Sequence, residues 1–290
     1  MAKVTYDNFS KRCKLLTAIT SHTAFTDVKS VSMNGVTDLD PAPTRRDRLR
    51  AATMAEITET ARQLLIEQGP EAVSLRAIAR EMGMTAPGLY RYYPSREDLL
   101  RAVVAEIFRE LAAGIRQAID AAVPVNERIT NWTAGDETAA LRRDHMTRKM
   151  VAACGEFRRW ALGHTGEFGL LFGVPLPGLD DDGLDVAQQC ALEFAGTFYS
   201  LFMELWDAVR FPVPAQEEID PKLRAQLGRL RTNLRADAPD GALLVFLRCW
   251  ILLYGAVSME VFGHLKFALE DPAPMFDVTL GAIAELVGLK

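Results

Sequence analysis

The stretch Ser74-Leu-Arg-Ala-Ile-Ala-Arg-Glu-Met-Gly-Met-Thr-Ala-Pro-Gly-Leu-Tyr-Arg-Tyr-Tyr-Pro-Ser-Arg-Glu-Asp-Leu-Leu100 reads as two short helices followed by the start of a long one. Ser74 offers an N-cap oxygen, and Leu75, Ile78, Ala79 and Met82 form one apolar stripe that stops at Gly83, a residue suited to a left-handed cap. Thr85 caps a second short helix in which Pro87 sits early, where its missing N–H costs little, and which ends before Pro94. Ser95 and Asp98 then make a capping-box variant ahead of Leu100, Val103, Val104, Ile107, Phe108, Leu111 and Ile115, the stripe of a helix reaching about Ala122. Two short helices separated by Gly83-Met84 can place the second in a DNA major groove while the first packs across it. The second crowds Tyr90, Arg91, Tyr92 and Tyr93 into barely two turns, polar aromatics that a core-packing helix does not need. Leu89 is assigned to the core, as is Ile78.

Upstream, Met54, Ile57, Ala61, Leu64 and Leu65 recur at helical spacing from Arg50 to Gln68, and Gly69-Pro70 supplies the stop. Arg45, Arg46, Arg48 and Arg50 precede that helix, and Arg45 and Arg46 read either as a DNA-binding arm or as a solvated lead-in. Residues 1–43 mix Thr, Ser, Asn and Asp without periodicity and read as a disordered extension, with Met33 a candidate natural start. The domain reading is therefore extension 1–43, helix-turn-helix 44–97 and a helical body 98–290. The net charge is −5, but Arg45 to Arg101 holds 10 arginines against 8 acidic residues, so a +2 segment sits on a remainder of −7. That asymmetry separates a DNA-facing part from an acidic body.

The quoted segment resembles the DNA-binding signature of TetR-type transcriptional regulators. The resemblance is carried by the Ile-Ala pair at Ile78 and Ala79, by Gly83, by the Leu-Tyr pair at Leu89 and Tyr90, and by the Ser-basic-Glu-Asp-Leu-Leu opening of the next helix. By position it implies phosphate or base contacts from Arg76, Thr85, Ala86, Pro87, Gly88, Tyr90, Tyr92 and Arg96. Arg96 stands where the family usually has Lys, and Tyr93 where it often has Phe. The implied fold is all-α, a three-helix helix-turn-helix domain followed by a larger helical domain that binds a small molecule and dimerises. The implied partners are double-stranded operator DNA, a small-molecule effector of unidentified chemistry, and a second copy of the chain. The implied activity is repression from a palindromic operator, relieved when ligand shifts the long helix after Ser95. The alternatives are an activator or a ligand-binding protein that keeps the helix-turn-helix only as scaffold.

Amphipathic blocks over Thr138–Gly163, Val186–Phe211, Pro221–Leu234, Gly241–Leu269 and Met275–Leu289 make up the body. Its large apolar residues include the candidate ligand contacts Trp160, Phe168, Phe172, Phe198, Phe202, Trp206, Trp250 and Tyr254, most of which must also serve as core. Arg158 to Phe172 and Cys249 to Glu260 resemble a C-terminal subgroup named for a Trp, His, Gly pattern, with Tyr254 at the usual His. In the family the last two helices form the dimer interface, and Gly255, Ala256, Gly263, Gly281 and Ala282 would permit close approach there.

Enzyme chemistry finds no support. His22, His145, His164 and His264 lie in no HExxH pattern, no GxSxG elbow or GxxxxGK[ST] loop occurs, and Phe172 to Gly183 lacks the oxygen-ligand spacing of a calcium loop. No cofactor or metal is expected. Cys13, Cys154, Cys190 and Cys249 are far apart without CxxC spacing, which fits a reduced, cytoplasmic protein. Ala242 to Phe262 is the most apolar segment, but Arg248 and Glu260 interrupt it, so it reads as a buried helix and not a membrane span.

Overall fold

A computed structural model describes residues 44–123, 136–173 and 186–289. The expected extension over 1–43, with Cys13, His22 and Met33, and the acidic loop from 174 to 183 lie outside the described residues. Among the described residues the regular structure is entirely helical, and the chain divides into two compact units with the boundary between Val104 and Ala105.

The first unit begins with α1, Arg45–Gln68. Its N-cap is Thr44, whose Oγ1 accepts the Asp47 N–H at 3.2 Å while the Asp47 carboxylate accepts the Thr44 N–H at 3.0 Å. This reciprocal box starts the helix five residues before the expected Arg50, so Arg45 and Arg46 stand in the first turn of α1 and not ahead of it. Helix α2 spans Leu75–Glu81 behind its Ser74 cap, and the four-residue α3 spans Ala86–Leu89 behind Thr85. Gly83 between them has φ +64°, the left-handed turn that redirects the chain within two residues. The core of this unit gathers Ile57, Ala61, Val73, Ile78, Leu89 and Leu99, all fully buried. Helix α4, Arg96–Ala121, opens in the first unit and runs through Val104 into the second.

The second unit adds α5 (Asp136–Gly163), α6 (Thr165–Phe172), α7 (Val186–Val209), α8 (Pro221–Leu234), α9 (Asp240–Val261) and α10 (Ala273–Leu286). Asp220 caps α8 through the N–H groups of Lys222 and Leu223, with Pro221 at the first helical position. Arg231 ties α8 to α9 by donating to the Ala238 carbonyl at 3.1 Å and to Asp240 at 2.6 Å. Helix α9 ends at Val261, eight residues short of the expected Leu269, because Gly263 turns left-handed at φ +68° and the His264 N–H closes back on the Met259 carbonyl. Helix α9 packs chiefly on α10, and α5 on α7.

Among the described residues α9 is the one helix long and apolar enough to cross a membrane by composition. Its burial is one-sided, which corrects the expectation of a buried helix. Leu243, Val245, Phe246, Leu253 and Val257 are inside, whereas Ile251 is 60% exposed. Its Glu260 carboxylate receives both Nε and Nη2 of Arg158 from α5, at 2.7 and 2.5 Å.

Candidate nucleic-acid interface

The surface of α3 is set by a short helix with one inward residue. Leu89 is fully buried, so the turn that carries it must present Thr85, Pro87 and Tyr90 outward, and all three are exposed. Tyr90 is 47% exposed although it is a large aromatic side chain, and Tyr92 is half-buried. Tyr93 is buried, so the core takes one tyrosine of the three. No acidic residue occurs from Met82 to Ser95, while Arg76, Arg80 and Arg91 are exposed around the same segment. A concentrated set of hydroxyl donors, flanked by these cations, suits phosphate oxygens and base edges.

Two of the candidate residues also build the segment. Thr85 Oγ1 accepts the Gly88 N–H at 3.2 Å, and a Cβ at Gly88 would lie 3.0 Å from that oxygen, so cap and glycine fit each other. Arg96 donates Nε to the Val73 carbonyl at 2.8 Å, joining the start of α4 to the residue before the α2 cap. The Ser95 cap is in place as well, with its Oγ accepting the Asp98 N–H at 3.0 Å. Ala86 and Gly88 are half-buried in α3, and Arg76 is on the outer face of α2. Sequence reading did not single out Arg50 beyond the basic run. Its Nη2 donates to the Arg91 carbonyl at 3.2 Å and its guanidinium lies over the Tyr92 ring.

In the second unit the candidate ligand contacts separate into three groups. Phe168, Phe172, Phe198, Trp250 and Tyr254 join Phe157 and Phe194 in one aromatic cluster. Phe157 is at its centre, with ring centroids 5.9 Å from Trp250 and 6.0 Å from Phe172, Phe194 and Phe198. The Tyr254 hydroxyl donates to the Phe172 carbonyl at the end of α6. Trp160 stacks on His164 with centroids 5.1 Å apart, and Phe202 and Trp206 both pack on Phe211.

Of the eight, Phe198, Phe202 and Trp250 border an apolar cavity of about 60 Å³, together with Met146, Met150, Cys154 and Cys249, which sequence reading did not assign to it. Burial pushes the Cys154 and Cys249 thiols up to about 12 from an ordinary 9.0. A cavity of about 490 Å³ lies where α4, α5 and α7 meet, lined by Asp120, Arg142, His145, Lys149, Glu204 and Asp207 among others, and none of the eight reaches it. Among the described residues no group of three His, Cys, Asp or Glu side chains is placed to hold a metal ion.

Residues 57–103 match the family described as bacterial regulatory proteins of the tetR family, and residues 150–283 match the tetracyclin repressor-like C-terminal domain. The chain is similar to HTH-type transcriptional regulator Rv1816 of Mycobacterium tuberculosis, 27% identical over 235 residues, or 80% of this chain and 91% of that protein. It also resembles the HTH-type transcriptional repressor KstR of the same organism, 32% identical over 115 residues, 38% of this chain and 48% of that one. The crystal structure of SCO4313 superposes with a TM-score of 0.61 at 26% identity, covering 84% of this chain and 100% of that one. These matches describe regulators and not enzymes, and the two family matches together span more than half of the chain, the first of them on the same capped helices that carry the tyrosine face. The chain belongs to the TetR family of DNA-binding transcriptional regulators.

Proposed function

We propose that this regulator acts in the cytoplasm as a homodimeric repressor that reads a two-fold symmetric operator and releases it when a small molecule occupies the second unit. The observation that carries the DNA-reading part is the outward set on α3, with Thr85, Pro87 and Tyr90 exposed beside a fully buried Leu89. Arg76, Ala86, Gly88, Tyr92 and Arg96 complete the proposed contact set, and Arg45 and Arg46 join it from the first turn of α1 as phosphate contacts. Hydroxyl and guanidinium groups at base edges contribute roughly 1–3 kcal/mol of discrimination each, whereas phosphate contacts add affinity without sequence preference.

The dimer reading rests on an apolar face that the monomer leaves in water. On α9 and α10 it comprises Ile251, Met259, Met275 and Val278, the last 62% exposed. Large apolar side chains exposed on two helices that pack together favour an interface there, and a two-fold pair would present two α3 helices to a palindrome. The ligand reading is supported by the aromatic walls and the cavities described in the second unit, with α4 as the continuous helix that would relay a shift. Trp250 stacked on Tyr254, the residue at the usual His and the one before Gly255, supports the likeness to the Trp, His, Gly subgroup.

Selection of duplexes from a random pool by the full chain tests the proposal. Enrichment of a palindrome with half-sites about one helical turn, ~34–36 Å, apart is expected. No enrichment over the starting pool would remove the DNA-reading part, and enrichment of a single asymmetric site would remove the symmetric dimer.

A further inference from the structure

Helix α3 has four residues, too few for its backbone alone to hold a conformation, so its pose depends on the side chains that grip it. Leu89 holds it from the core, and Thr85 from the N-terminal end. At the other end the Leu89 carbonyl accepts the N–H groups of both Tyr92 and Tyr93, at 2.9 and 3.2 Å. The next grip comes from α1: Arg50 Nη2 donates to the Arg91 carbonyl at 3.2 Å across 41 residues of sequence. The same guanidinium lies over the Tyr92 ring, with Cζ 5.2 Å from the ring centroid.

We propose that Arg50 is a positioning residue for the reading surface. It fixes the exit of α3 and the plane of the Tyr92 ring, and so sharpens sequence selection without touching a base. The inference rests on the DNA-reading role proposed above for Tyr90 and Tyr92. The chemistry requires arginine. A planar guanidinium can donate from one edge while its face covers a ring, whereas a lysine ammonium is a point donor that cannot do both at once. Lysine does keep the charge, which separates positioning from the other role open to a cation here, a direct phosphate contact.

The experiment uses the full chain, a duplex enriched by the unmodified protein, and a shuffled duplex of the same composition, with affinities read by fluorescence anisotropy over a salt series. Arg50→Lys is expected to weaken the enriched duplex about five- to tenfold, the scale of one stacking contact and one hydrogen bond. The shuffled duplex and the slope of log affinity against log salt should be unchanged, because the charge remains. In a Tyr92→Leu background the same substitution should add less than about twofold, since the ring it stacks on is gone. If Arg50→Lys binds both duplexes like the unmodified chain while Arg50→Ala lowers the salt slope by about one, Arg50 is a phosphate contact and the positioning role is overturned. Equal loss on both duplexes with a lower melting temperature would also overturn it, as a purely structural effect. If the unmodified protein enriches no duplex, the DNA-reading role falls and this inference with it. A silent Arg50→Lys on an enriched duplex removes this inference alone.

Discussion

Arg158 holds three helices of the second unit, and removing it should be costly in a way the geometry specifies. From α5 it gives a two-pronged hydrogen bond to Glu260 of α9, at 2.7 and 2.5 Å, and its guanidinium lies 5.0 Å from the ring centroid of Phe276 on α10. The Glu260 side chain is only 9% exposed and that of Arg158 23% exposed. The Arg158→Met substitution keeps most of the stem's packing but leaves a carboxylate largely cut off from water and without its cation. Breaking a fully buried pair costs about 3–5 kcal/mol, and the partial exposure on the arginine side puts this one near the lower end, at roughly 3 kcal/mol. For a unit of this size that corresponds to a fall in melting temperature of roughly 6–12 °C. The double substitution Arg158→Met with Glu260→Gln removes the stranded charge and should recover all but about 1 kcal/mol. Urea denaturation at several protein concentrations, so that dimer dissociation is separated from unfolding, measures both. If single and double variants were equally destabilised, the cost would come from lost packing on Phe276 and the stranded-charge argument would be wrong.

Three further outcomes follow from the same geometry. Thr85→Val, which keeps the shape but not the acceptor, should cost about 1 kcal/mol at the start of α3 and weaken the enriched duplex about fivefold, while Thr85→Ser stays near the unmodified affinity; loss in Thr85→Ser with Thr85→Val unaffected would mean that the methyl group, and not the cap, matters. Val278→Asp and Ile251→Asp should each shift the chain from dimer to monomer in sedimentation at micromolar concentration with helix content retained, and an unchanged dimer would place the interface elsewhere. The Cys154 and Cys249 thiols are held protonated by burial, with folded values near 12 against an unfolded 9.0. Their contribution to stability is therefore complete below pH 9 and lost as pH rises from 9 towards 12. Cys154→Ala should flatten the alkaline limb of the stability curve, and an unaltered limb would count against the buried thiol.

The capped ends of the helices were legible from local spacing because each cap is a contact three residues long. Ser74, Thr85 and Ser95 all accept the N–H group of the third residue after them, an arrangement that depends on little beyond the helix start itself. Arg45 and Arg46 were misplaced for a related reason. The apolar stripe starts late, at Met54, while the residues that start the helix are the polar pair Thr44 and Asp47. Leu89 was assignable to the core from periodicity, but the grip of Arg50 on Arg91 and Tyr92 spans 41 residues and leaves no periodic trace.

The second unit was harder to read in the same sense. Which aromatic rings pack together and which face a void depends on how α5, α6, α7 and α9 lie against each other. Eight candidate rings therefore resolved mostly into a packed cluster around Phe157. The cavity of about 490 Å³ is walled in part by charged residues such as Arg142 and Asp207, which no search for apolar lining would have selected.

Because Leu89 is the only fully buried residue of α3, the reading segment behaves as an exchangeable cassette. Its outward positions at Pro87 and Tyr90 can be randomised without disturbing the hydrophobic core, so the range of operators this scaffold could be taught to read is set by how well each new sequence still meets Thr85 at one end and Arg50 at the other.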